Sequence, residues 1–404
     1  MTDLYLFREI AARPWFGPLA RLDGALAEQA GDGARRAYHA LHGCLLQEGV
    51  SELGQAMAEA LLWTDSVLAQ CVMRGEAVPA GVQQAARFDL ATLARLAVRD
   101  WRDEASAAAG LRLPPLRQLA GRSPQAAAAE LLDPLAAGDT TELYRRLSER
   151  YRSHGAGPLA RFVAYRWDGE ALQGIEHPAV ATLQQLVDVS DQIETLRANT
   201  ERFLAGKPAH HTLLYGPRGS GKSTAIRGLM GAYAERGLRL VELPLTRLAD
   251  LPQVVELVRP RPHRYLLFVD DLSFEQNGSY APLKTLLEGS LTLRPDNILV
   301  YATSNRRHLV KERFSDRPDP LDEEVHAWDS QHEKLALADR FGLTITFPDA
   351  TQRRYLLIVG TLAAQEGLFT SDLEQRAIRF ADWGNGYSGR TARQFVDSLK
   401  AELA

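Results

Sequence analysis

Residues 216–224 read Gly-Pro-Arg-Gly-Ser-Gly-Lys-Ser-Thr, a match to the pattern G-x-x-x-x-G-K-[ST]. The pattern requires a strand that runs into a tight bend and a helix that starts there, so it restricts the fold more than any other stretch. The glycines let the backbone curl until successive N–H groups point inward at phosphate oxygens. Gly216, Gly219 and Gly221 supply that freedom, with Pro217, Arg218 and Ser220 between them. Lys222 then reaches the β- and γ-phosphates as a point charge, and the hydroxyl of Ser223, next to Thr224, ligates Mg²⁺. The helix opening near 222 presents its positive end to the same anion. The context fits, because the apolar run HTLLYG comes before the bend and STAIRGLMGAY after it.

Some fifty residues on, LLFVDDLSFE (266–275) ends a second apolar run on two adjacent carboxylates. Neighbouring anions repel, and more strongly where water is scarce, so a positive group belongs there. A divalent ion bound to a triphosphate supplies it. Asp270 is expected to hold the Mg²⁺, through water, and Asp271 to face the γ-phosphate and polarise the attacking water, with Glu275 as a possible assistant.

The surrounding chain divides by texture. Residues 1–152 read as helical: Leu53, Met57, Leu61, Leu68 and Cys71 recur at spacings of one helical face, and Phe88, Leu93, Leu96 and Trp101 continue the habit. Breaks are expected at Gly75, Pro114-Pro115 and Gly138-Asp139. A linker follows over 153–185, opening with SHGAGP. From about 210, short β-branched or aromatic runs (HTLLYG, RLVELP, YLLFVD, NILVYATSN, GLTITFP) alternate with helical stretches, the pattern of a parallel sheet covered by helices. Three helical segments follow Pro348. The expected fold class is therefore α/β: an all-α N-terminal domain (1–152), an αβ nucleotide-binding domain (186–348) and a helical lid (349–404).

Composition adds exclusions. The 404 residues are 45% hydrophobic and 24% charged, with a net charge of −4, which argues against a surface that coats nucleic acid or a polybasic membrane surface. Cys44 and Cys71 are the only cysteines and read as buried structural thiols, with no disulfide or metal framework. The N-terminus carries Asp3, Arg8 and Glu9 and lacks the apolar core of a signal peptide, and no apolar run is long enough for a membrane span. A cytoplasmic protein with no membrane partner is expected.

With these motifs in place, the region from about 186 to 404 resembles an AAA+ P-loop ATPase. HHTLLYGPRGSGKS, FVDDLSFE, ATSNRRHL, LADRFGLTITF and YSGRTARQF are, more narrowly, similar to the uncharacterised bacterial family known as domain of unknown function 815. The resemblance implies ATP and Mg²⁺ as ligands. It implies that Asn305 is the sensor-1 amide that orients water. It also implies that Arg340 is an arginine finger acting on a neighbouring subunit and that Arg390 is the lid arginine, with Arg393 one turn later as the alternative. Asp271 stands where most of the superfamily has Glu, which suggests slow turnover that rises on assembly.

The function expected is an AAA+ ATPase that switches or remodels an unidentified protein partner, as an oligomer assembled through Arg340. The loop LPLTRLADLPQ lacks the aromatic tip of a threading machine. The alternative is a nucleic-acid-associated ATPase of loader or transposition-helper type. It rests on the Asp-Asp pair and two basic stretches, one with Arg145, Arg146, Arg150 and Arg152, the other with Arg259, Arg261 and Arg264. The long stretch 306–339, with His308, His326 and His332, reads as a solvated insertion rather than a metal site.

Overall fold

Apolar runs in the second half of the chain are buried on both faces, and this dictates a sheet with helices on either side. The computed structural model describes residues 4–50, 52–115, 126–179, 181–272, 281–288, 295–305, 340–384 and 386–403. They form two units, one of residues 1–161 with 260–262, the other of residues 162–259 with 263–404.

The described part of the first unit is helical: α1 (Arg8–Ala11), α2 (Phe16–Ala27), α3 (Gly31–Gln47), α4 (Leu53–Trp63), α5 (Val67–Met73), α6 (Ala80–Val98), α7 (Trp101–Ala109), α8 (Ala126–Ala137), α9 (Thr140–His154) and α10 (Pro158–Arg161). Side-chain caps set several starts, as the sequence breaks require: Ser66 accepts from the Ala69 N–H, and Asp139 from those of Thr141 and Glu142. Trp15, Tyr38 and Tyr151 are fully buried; the two phenols donate to the carbonyls of Pro114 (2.7 Å) and Leu61 (2.6 Å). Asp89 on α6 is also fully buried, and its carboxylate accepts from the N–H groups of Tyr5 (2.9 Å), Leu6 (2.7 Å) and Phe7 (3.1 Å). This charge therefore anchors the segment that precedes α1.

Two expectations for this unit change. Phe88 is 53% exposed and meets the ring of Tyr5 edge-on at 5.3 Å, because residues 86, 90 and 93 form the inner face of α6. Cys44 and Cys71 are free thiols as expected, but both are partly exposed. The basic stretches are largely neutralised: Arg145 pairs with Glu142 and Glu149, Arg146 with Glu142, and Arg261 with Asp65 at 2.7 Å.

The second unit contains β1 (Ala164–Trp167), β2 (Leu172–Gly174), α11 (Ser190–Leu204), β3 (Thr212–Tyr215), α12 (Lys222–Tyr233), β4 (Leu238–Glu242), α13 (Leu251–Val258), β5 (Arg264–Val269), α14 (Ala281–Glu288), β6 (Ile298–Ser304), β7 (Leu343–Thr346), α15 (Gln352–Gln365), α16 (Leu373–Trp383) and α17 (Gly389–Leu403). The sheet order is β2-β1-β4-β5-β6-β3-β7, parallel throughout except for the β1–β2 pair. Every residue of β6 is buried and all but the first of β5, the signature of parallel strands covered on both sides. One cover packs Ile193, Leu196 and Phe203 of α11 and Ile226, Leu229 and Met230 of α12 on Leu214, Leu266, Phe268 and Tyr301. The three last helices close around Tyr355, Val359, Phe395 and Val396 as a small bundle of their own.

The expected fold class, a parallel α/β core with a C-terminal helical lid after a helical N-terminal region, is the one observed. The linker expected over 153–185 holds β1 and β2 instead, and β1 extends the sheet by pairing with β4. Glu275 and the stretch 306–339 lie outside the described residues. Among those described, no helix is long and apolar enough to cross a membrane.

The buried carboxylate of Asp89 gives the first prediction. Asp89→Ala leaves three N–H groups without their acceptor and is expected to cost about 3 kcal/mol. The denaturation midpoint of the N-terminal unit should fall, and the amides of residues 5–7 should lose protection from hydrogen exchange.

Candidate nucleotide-binding site

The strand order determines what can meet at the exit ends of the strands. β6 lies between β3 and β5, with Tyr215 opposite Ser304 and Val269 opposite Ala302. The next residues along each strand are Gly216, Asn305 and Asp270, so the loop, the amide and the carboxylate emerge side by side. Asn305 and Asp270 line a cleft of about 640 Å³ together with residues 218–224, Asp271, Thr303 and, from the lid, Gly389, Arg390 and Arg393. A cleft of this size suits a small-molecule ligand.

Two glycines in the loop are irreplaceable on geometry. Gly216 has φ 148°, and a Cβ there would lie 2.4 Å from the carbonyl oxygen of Phe347. Gly219 has φ 74°, and its Cβ would lie 2.9 Å from that of Ser388, at the edge of the lid. The bend therefore passes between β7's exit and the lid with no room for a side chain. It delivers the chain to Gly221, the N-cap of α12, where no side chain caps the helix. The N–H groups of its first turn remain available to an anion.

Lys222 is 6% exposed and donates to the carbonyls of Gly216 (2.7 Å) and Pro217 (2.8 Å) and to Asn305 Oδ1 (2.8 Å). Burial pushes its ammonium down to about 8, against the pull of Asp270 and Asp271 towards the charged form. Asn305 passes the contact on, since its Nδ2 donates to Asp271 Oδ1. Ser223 Oγ donates to Asp270 Oδ1 at 2.7 Å, and Thr303 Oγ1 donates to the same oxygen at 2.6 Å. Thr303 Oγ1 also accepts from the Asp271 N–H (2.9 Å), and the Thr303 carbonyl from that of Leu272 (2.7 Å). These bonds hold Asp271 at φ 53°, a left-handed conformation that Asp tolerates better than most residues. Thr303 is the site residue that the motifs did not reveal. Its signal is position: two residues before Asn305, it shares that residue's side of the strand.

The donor set fits a triphosphate with its metal ion. Ser220 Oγ is buried in the loop with no partner, the helix start is uncapped, and Lys222 spends its donors on nearby carbonyls. Hard oxygens from Ser223 and Asp270 lie together, which suits Mg²⁺.

The two lid arginines differ. Arg393 pairs with Glu366 (3.0 Å) and Asp397 (2.8 Å), whereas Arg390 is exposed at the cleft and pairs with no described residue. Arg340 does not join the site. It precedes β7, and β7 runs parallel to β3 with Leu343 opposite Thr212, so Arg340 lies at the strand-entry end of the sheet.

The family model described as Protein of unknown function (DUF815) matches residues 160–403. No curated protein matches the chain. Among solved structures, the Thermotoga maritima RuvB Holliday junction branch migration motor is similar at 16% identity, over 55% of this chain and 66% of its own, with a TM-score of 0.37. The Aeropyrum pernix ORC1 protein in complex with DNA is similar at 14% identity, over 54% and 65%, with a TM-score of 0.37. AMPPCP-bound DnaA from Aquifex aeolicus is similar at 14% identity, over 55% and 66%, with a TM-score of 0.38. The match to the first of these thus stops just short of two thirds of that chain's length.

The lowered ammonium of Lys222 sets a pH dependence. Phosphate binding needs the charged form and raises its affinity for protons, so below about pH 8 this group contributes no pH dependence. Above that point the affinity for Mg-triphosphate should fall, at most about tenfold per pH unit, with a proton taken up on binding. Calorimetry at pH 8.5 in two buffers of different ionisation enthalpy measures the uptake, and Lys222→Arg, which stays charged, should abolish it.

Proposed function

The chain belongs to the family described as Protein of unknown function (DUF815), and we propose that it is an AAA+ ATPase that binds and slowly hydrolyses ATP with Mg²⁺. The observation that carries this reading is the Ser223–Asp270 pair beneath an uncapped helix start, with Lys222 buried beside it. Such a set has the donors for a triphosphate and the hard oxygens for its ion.

Ser223 and Asp270 would hold Mg²⁺, whose positive charge would offset the charge that develops on phosphate oxygens. The residues of the chain do the rest. Lys222 exchanges the carbonyls of its own loop for phosphate oxygens, which releases Asn305 Oδ1. The Asn305 amide, already against Asp271, then orients a water whose proton the Asp271 carboxylate accepts. Arg390 lies on the first turn of α17, facing the cleft and uncommitted to any described carboxylate, and supplies positive charge from the lid side. Arg393 would first have to leave Glu366 and Asp397.

Arg340, at the opposite end of the sheet from its own cleft, acts on the nucleotide of a second copy. The ATPase thus works as an oligomer, and the cycle switches or remodels a protein partner. Slow basal turnover follows from Asp271, whose side chain is short and tied to Asn305. No observation favours the nucleic-acid alternative, since Arg145, Arg146 and Arg261 are spent on carboxylates.

Two variants test the reading. Lys222→Ala should abolish ATP binding in calorimetry. Arg340→Ala should leave binding within about twofold of normal while turnover of the concentrated, assembled protein falls about 10³-fold or more. Unchanged turnover in Arg340→Ala would remove the trans role.

A further inference from the structure

The cleft has lining residues that the phosphate chemistry does not use. Leu183 and Leu186 lie so close on α12 that a Cβ on Gly228 would sit 2.5 Å from Leu183, and one on Gly221 would sit 2.7 Å from Leu186. The segment 183–186 therefore runs back along the helix, from 228 towards 221. It leaves Thr224 and Arg227, one turn apart, along the flank that lines the cleft. The same cleft has apolar walls: Leu186, Val187 and Val189 from the core, and Ile358 and Leu362 from the lid.

Arg227 is half-buried and lines this cleft. Whereas Arg261 pairs with Asp65 and Arg99 with Glu104, it has no ion pair, hydrogen bond or ring contact with any described residue. A guanidinium part-way out of water with no counter-group costs free energy that a ligand can return. Its position says which part of the ligand. Five residues beyond Lys222, it stands about 7.5 Å along the helix from the phosphate-cradling turn. A ligand with its phosphates at that turn and its remainder along α12 would bring the group attached to the triphosphate level with Arg227.

We propose that Arg227 binds the nucleoside portion of the ligand, its guanidinium set against a ribose–base unit that lies on the apolar walls, and that it thereby selects a nucleoside triphosphate over bare polyphosphate. A planar delocalised cation suits both ring faces and hydroxyl acceptors. The inference rests on the phosphate site proposed above and adds a residue to it.

Calorimetry on the full chain, with MgATP and with Mg-tripolyphosphate as separate titrants, tests it in wild type, Arg227→Met and Arg227→Lys. Wild type should bind ATP more tightly than tripolyphosphate. Arg227→Met, which keeps the aliphatic stem, should weaken ATP about 5- to 20-fold and leave tripolyphosphate within about twofold. Arg227→Lys should recover part of the ATP affinity, and thermal melts check that each variant is folded. Equal losses for both titrants would make Arg227 a general attractor of anions, and no loss for either would make it a solvated surface group. Each overturns the proposal, as does a wild type that binds the two equally. Wild type that binds neither overturns the phosphate site itself, a failure separable from the others.

Discussion

The Lys222 ammonium lies almost wholly out of water, and its three hydrogen bonds reach two different strand exits. Two acceptors belong to the loop that follows β3, and the third is Asn305 after β6. Asp270 and Asp271, after β5, contribute the opposing field. A desolvated cation is tolerated only where such compensation is complete. Here the compensation requires β6 to lie between β3 and β5, so the order of strands in the sheet and the viability of one charged side chain are the same fact seen at two scales.

A second organising group, Thr303, works by hydroxyl chemistry. It donates to Asp270 and accepts from the backbone of Asp271, which separates the roles of two adjacent carboxylates. One is locked to a hydroxyl pair at the metal-binding position. The other turns outward through a left-handed backbone and comes within reach of Asn305. Their mutual repulsion is relieved by pointing them into different hydrogen-bond networks as well as by nearby cations.

Most of this was legible in the sequence, for physical reasons. Strands buried on both faces need continuous apolar runs, so YLLFVD and NILVYATSN declare themselves, and a phosphate loop needs glycines at fixed offsets. The illegible parts depend on partners distant in the chain. The strand AYRW is four residues long with an Arg in it, and it is pairing with β2 and β4 that makes it a strand. Phe88 has the period of a core residue but falls on the exposed side of α6, where its ring meets that of Tyr5. The choice between Arg390 and Arg393 could not be made from spacing, since both lie on one helical face. What separates them is Glu366, across the lid.

The lid meets the loop glycine to glycine. A Cβ on Gly389 would lie 2.9 Å from the Gly219 carbonyl, just as one on Gly219 would meet Ser388. Where Gly389 faces the Gly219 carbonyl, both elements are bare backbone. Bulk added at Gly389, on the lid side, would act as a graded doorstop, propping the mouth of the cleft wider with each added atom and leaving the sheet behind it undisturbed.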